Sequence, residues 1–104
     1  MKKKLVDFKL TTPEDPVPWW EIGNRYITRQ DLYLWDDAGE NKKAWDDVLD
    51  SAKEHATPDE FGNAILNTGT QIFVGDIKNV NETYWLETPY GWICGKNPKI
   101  TFVS

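Results

Sequence analysis

Through the middle of the chain apolar residues recur at three- and four-residue steps. Ala44, Trp45, Val48, Leu49, Ala52 and Ala56 fall on one face of a helix predicted over residues 42–56, with Asn41 as its cap. Asp46, Asp50 and Glu54 fall on the opposite face, four residues apart. One element is therefore expected to supply an apolar stripe for the core and an acidic row for something outside it. Lys42 with Asp46 and Lys43 with Asp47 add four-residue ion pairs, worth a few tenths of a kcal/mol each.

The flanking patterns complete the expectation. Val6, Phe8 and Leu10 alternate with Asp7 and Lys9, the period of a half-buried strand over 4–10. Pro13, Pro16 and Pro18 then make an extended connector. Trp19 and Trp20 follow it and face opposite sides of extended backbone. After a Gly23–Asn24 turn, residues 25–27 suit a short strand. Thr28 with Asp31 reads as a helix cap, Leu32 and Trp35 as an inner face and Gly39 as a stop; residues 31–35 suit a strand as well. Thr57-Pro58-Asp59-Glu60 is a helix-start signature, with Phe61, Ala64 and Ile65 turned inward and Asn67-Thr68-Gly69 as the end. Beyond it the period shortens to two. Strands are expected at 71–74, running on to 80 past Gly75, at 83–87 and 92–94 around Thr88-Pro89-Tyr90-Gly91, and at 99–103. The predicted fold class is α+β. An antiparallel sheet of about four to five strands, the N-terminal strand plus a C-terminal meander, carries two to three helices on one face.

Composition limits what this fold does. The 104 residues suit one domain. The net charge of −5 is uneven: residues 31–60 hold ten acids and three bases, a net of −7. Such a segment argues against direct nucleic-acid binding, which relies on Lys and Arg against phosphates, and favours a basic protein surface. Six tryptophans are enough for a core with aromatic anchors to spare. The lone Cys94 forms no internal disulfide. Lys2, Lys3 and Lys4 resemble a secretion signal, but Asp7 and Lys9 break the apolar run that should follow. A cytoplasmic setting is the expectation, and no stretch reaches the roughly 18 apolar residues of a membrane span.

Catalytic and metal chemistry find little support. Cys94 and His55 are too few for a zinc site. Asp36, Asp37 and Glu40 are close in sequence but fail the EF-hand pattern. Nothing brings Cys94 to His55 as a nucleophile and base. His55, near the expected helix end, suits a dipole contact. Gly91–Lys96 lacks the spacing of a phosphate loop. Asn81-Glu82-Thr83 fits a glycosylation acceptor that a cytoplasmic chain leaves unused. No cofactor, metal or enzymatic activity is expected.

The sequence thus points to a small interaction module, an inhibitor or adaptor of the kind phage and mobile elements encode. It would dock through acidic charge on a larger basic, nucleic-acid-handling protein, presenting Asp46, Asp47, Asp50 and Glu54 with Trp19, Trp20 and Tyr90 as aromatic contacts. The alternative is a small-ligand domain with Trp85, Tyr90 and Trp92 lining a pocket between sheet and helices. An enzyme, with Glu21, Asp31 and Asp76 converging in a cleft, is the weakest reading.

Overall fold

The computed structural model describes residues 20–104. The expected strand at 4–10, the proline connector and Trp19 lie outside that range. Among the described residues 49% are in strands and 7% in short helical turns, and no helix reaches seven residues. The α+β expectation is therefore wrong: the described residues are mostly β, in three antiparallel sheets.

The largest sheet has five strands in the order β4-β3-β10-β9-β8. β3 (Trp35–Asp37) and β4 (Glu40–Lys42) form a hairpin around Ala38–Gly39, with Gly39 at φ 74°. β8 (Asp76–Val80), β9 (Thr83–Thr88) and β10 (Gly91–Lys96) form the meander. β3 joins them through the pairing of Trp35 with Trp92. A second sheet, β2-β6-β5, contains Leu32–Tyr33, Ala64–Leu66 and Ala56–Pro58. β1 (Arg25–Ile27) and β7 (Gln71–Phe73) make a two-stranded third. The segment expected as a strand at 99–103 makes only single bridges, Lys96 to Thr101 and Thr28 to Val103.

The core lies where the sheets meet. Leu34, Ala64, Leu66, Val74, Leu86, Ile93 and Val103 are fully buried. Opposed residues of antiparallel strands share a face, so Ile77, Leu86 and Ile93 point inward together. The same registers place Trp35, Lys42, Lys78, Trp85, Glu87 and Trp92 on the outer face.

The three expected helices fail for one reason: their signals serve turns and sheet edges instead. Residues 42–56 leave β4, make two short 3-10 turns at Trp45–Asp47 and Lys53–His55, and enter β5. Asp46, Asp47, Asp50 and Ser51 are poor helix formers, and like charges four apart weaken a helix further. The apolar stripe is not uniformly buried either, since Val48, Ala52 and Ala56 are inside but Leu49 is 67% exposed. The Lys43 amide donates to the Leu34 carbonyl and the Ala64 amide to the Lys43 carbonyl, which ties the start of the segment between two extended strands.

Asp31 does not answer a helix cap at Thr28. Its carboxylate accepts from the amide and hydroxyl of Thr68, both at 2.8 Å, and stitches the 67–69 turn to β2. Asp59 likewise does not start a helix. Its carboxylate accepts the amides of Phe61 and Asn63 at 2.8 Å, the Tyr33 hydroxyl at 3.0 Å and the Asn63 side-chain amide at 3.2 Å, bracing the β5–β6 hairpin loop. Side chains that cap helices also organise turns, and here long-range strand pairing decides between the two.

Candidate cleft at the end of the five-stranded sheet

Where β10 turns back from β9, the 88–91 turn, the start of β3 and the 47–52 segment enclose a cleft of about 310 Å³. Trp35, Tyr90 and Trp92 supply its aromatic wall, with Leu49 and Pro89 beside them. Asp36, Asp47 and Glu87 supply carboxylates, and Lys43 supplies a base.

Each part is held in place by local chemistry. The Thr88 hydroxyl donates to the Gly91 carbonyl at 2.7 Å and accepts the amides of Tyr90 and Gly91, so the turn that carries Pro89 and Tyr90 is fixed from within. Gly91 has φ 141°, and a Cβ there would stand 3.2 Å from the Trp35 carbonyl and 3.1 Å from the Lys43 side chain; only glycine lets β10 approach β3 this closely. The Trp35 ring is propped edge-on by Trp85, with centroids 5.5 Å apart. Trp92 lies under the Lys78 ammonium at 4.9 Å, and Lys78 is tethered to Asp37 at 3.0 Å. That bond sustains both charges. The Ala38 amide and Lys78 hold the Asp37 carboxyl below its ordinary range, and the Asp37 hydrogen bond raises Lys78. Lys42 stands 3.9 Å from the Tyr33 ring centroid and 5.7 Å from that of Trp35.

The charge of the cleft is unbalanced. Lys43 bonds Asp36 at 3.2 Å. Asp47 and Glu87 have no ion pair among the described residues, which leaves negative charge beside aromatic surface. The outer-face cations Lys42 and Lys78 are not part of the lining.

The structure brings Asp47 and Tyr90 together at this cleft and leaves Asp46, Asp50, Glu54 and Trp20 outside its lining, while Trp19 lies outside the described residues. Asp46, Asp50 and Glu54 are exposed on the neighbouring turns, no longer a helix row. Asp50 is 3.9 Å from Lys53. Trp20 packs over the core edge: its indole N–H donates to the Val103 carbonyl at 3.1 Å, and its ring meets Tyr84 edge-on at 6.1 Å. Trp92 lines the cleft, while Trp85 supports it from behind. Among the described residues the only helical elements are the two three-residue 3-10 turns, so the expected pocket between sheet and helices does not form there. Glu21 hydrogen-bonds the Asn24 side chain, Asp31 serves Thr68, and Asp76 accepts the Ile77 amide, so these three do not converge. Sequence reasoning missed Trp35 and Glu87. The alternation in Trp85–Glu87 and Trp92–Cys94 already set Glu87 on the Trp92 face, but the pairing of Trp92 with Trp35 spans most of the chain and leaves no local signal.

Among the described residues no three His, Cys, Asp or Glu side chains gather as a metal site. Asp36 and Asp37 are instead engaged by lysines. No helix among the described residues is long and apolar enough to cross a membrane. No family model, curated protein or solved structure matches the chain.

Proposed function

We propose that this chain is a protein-interaction module, an adaptor or inhibitor rather than an enzyme, that captures a cationic segment of a partner in the Trp35–Tyr90–Trp92 cleft. The observation that carries this reading is the pairing of aromatic walls with two carboxylates, Asp47 and Glu87, that have no ion pair among the described residues. A cation entering there gains carboxylate attraction and an aromatic contact at Tyr90, while the Trp92 and Trp35 rings already face Lys78 and Lys42. Asp46, Asp50 and Glu54 stand on nearby turns and add a field that draws a basic partner toward it. A nucleic-acid-handling protein, with a groove built for phosphates, has the matching charge.

The test is a titration with a lysine- and arginine-rich peptide against an acidic peptide of equal length, followed by tryptophan fluorescence. The basic peptide binds and the acidic one does not. Affinity drops as salt rises from about 50 to 300 mM. Replacing Asp47→Asn and Glu87→Gln together lowers affinity about tenfold, the scale of two rim charges. Equal binding of both peptides, or an unaffected double variant, refutes the proposal. The small-ligand alternative draws on the same cleft, whose volume lies at the lower end for ligand sites. A response to a nucleotide or metabolite panel, with none to basic peptides, favours it instead.

A further inference from the structure

The five-stranded sheet ends differently at its two sides. β4, at one edge, is three residues long and carries Asn41 at φ 57°. β8, at the other, runs regularly for five residues, and among the described residues nothing pairs with its outer side. The Asn81–Glu82 turn, both residues at positive φ, makes Val80 and Thr83 a hydrogen-bonded pair. By alternation Lys78 with Trp85 and Asp76 with Glu87 are hydrogen-bonded pairs too. The peptide groups of Ile77 and Asn79 therefore face outward. The Ile77 amide is held by the neighbouring Asp76 carboxylate at 2.8 Å.

Exposed edges are commonly guarded by a lysine. Here that guard is drawn away: Lys78 reaches back across the sheet to Asp37 at 3.0 Å and stands over the Trp92 ring. Val80 is left 42% exposed, and Ile77 lies half-buried at the margin of the core.

We infer that residues 5–9 of the same chain, which lie outside the described residues, pair antiparallel with β8 as a sixth strand, with Phe8 opposite Ile77. The two sequences single out this register. It sets Lys9 against Asp76, Asp7 against Lys78 and Leu5 against Val80 on the outer face. On the inner face Phe8 meets Ile77, with Val6 opposite Asn79. A slip of two residues sets Asp7 against Asp76 or Lys9 against Lys78, and a slip of one turns Phe8 to the outer face. On pairing, the Phe8 carbonyl takes the Ile77 amide and frees the Asp76 carboxylate for Lys9.

The connection is long enough. Gly23 donates to the Val74 carbonyl at 2.7 Å, which holds the returning chain beside the start of β8. Residues 10–22 span up to roughly 40 Å when extended. A tethered segment is present at an effective concentration of the order of millimolar, which favours it over a second copy. The pairing is independent of the cationic-segment reading.

NMR on the full chain tests it. Non-hydrogen-bonded partners of antiparallel strands lie about 4.5 Å apart at Cα, so Hα–Hα contacts are expected between Asp7 and Lys78 and between Lys9 and Asp76. The amides of Val6, Phe8 and Asn79 should exchange at least about tenfold slower than those of Asp7 and Lys9, which face solvent. Phe8→Pro removes the donor to the Ile77 carbonyl and returns the Asn79 amide to fast exchange. Lys9→Asp weakens the protection about two- to threefold, and adding Asp76→Lys restores it. Fast exchange at Val6, Phe8 and Asn79 overturns the inference, as do Hα contacts in any other register. A mixture of isotope-labelled and unlabelled chains tests the rival occupant: contacts seen only between chains assign the edge to a second copy and overturn the pairing within one chain. None of these outcomes bears on the binding of basic peptides at the cleft.

Discussion

Replacing Gly95→Ala should destabilise the fold through a single, locatable clash. Gly95 lies in β10 beneath Trp20 and beside Leu86, and a methyl group there would stand 2.8 Å from the Trp20 Cη2 atom and 2.9 Å from the Leu86 Cδ1 atom. Two effects oppose each other. Alanine restricts the unfolded chain and at a compatible site contributes about 0.4–1 kcal/mol of stability. Overpacking a filled core costs about 1–3 kcal/mol. The clash wins, for a net loss of about 1–2 kcal/mol and a fall in Tm of roughly 5–10 °C for a domain of this size. Urea unfolding followed by tryptophan emission gives the loss directly. The decisive measurement is the double variant with Trp20→Phe. A phenyl ring lacks the outer indole carbon that meets the new methyl, so Gly95→Ala should cost at least about 0.5 kcal/mol less in that background. A Gly95→Ala protein as stable as the parent, or no coupling to position 20, would show that Trp20 does not close the core over β10.

Two further tests concern titrating groups. Burial raises the Asp59 carboxyl, but the amides of Asn63 and Phe61, the Tyr33 hydroxyl and the Asn63 side chain outweigh it and hold the group at about 2, below the ordinary 3.8. A depressed carboxyl stabilises the fold in full above its ordinary range and loses that contribution as pH falls through the folded value. The β5–β6 loop should therefore loosen between about pH 4 and pH 2, read by the Phe61 and Asn63 amide signals; a midpoint near 3.8 refutes the brace. Burial pushes the Cys94 thiol up to about 11 against a weaker opposing bond from the Lys96 amide. Alkylation by iodoacetamide at pH 8 should accordingly run several-fold slower than for glutathione and keep rising toward pH 11; a rate that levels off near pH 9 refutes this.

The C-terminal half was legible because its signals are local. β8, β9 and β10 are joined by turns with local signatures, Asn81 and Glu82 at positive φ and then Pro89-Tyr90-Gly91, although β10 shifts register between Cys94 and Lys96. The half from Thr28 to Gly69 was illegible because the contacts that decide it are distant in sequence. Thr28, Asp31 and Asp59 present oxygen acceptors to nearby amides, and a helix start and a tight turn both need that. The Thr28 hydroxyl donates to the Asn67 carbonyl and accepts the Thr70 amide, and Asp31 serves Thr68, so their partners lie about forty residues away. No window of helical length contains those partners.

The same distinction explains which functional expectations keep a physical basis once the helix is gone. The acidic row at Asp46, Asp50 and Glu54 needed a helical period to be a row, and that period is absent. Attraction of a basic surface needs only net charge within about a Debye length, near 8 Å at physiological salt. Exposed acids on consecutive turns supply it without any regular spacing. Contact specificity is a different matter, because it requires side chains fixed against each other. In this molecule that fixing occurs where Trp35 meets Trp92 across the sheet and the Thr88 hydroxyl locks the Pro89 turn. In the proposed function, long-range attraction therefore falls to the exposed acids of residues 46–54, and discrimination between cationic partners to the cleft that β3 and β10 build together.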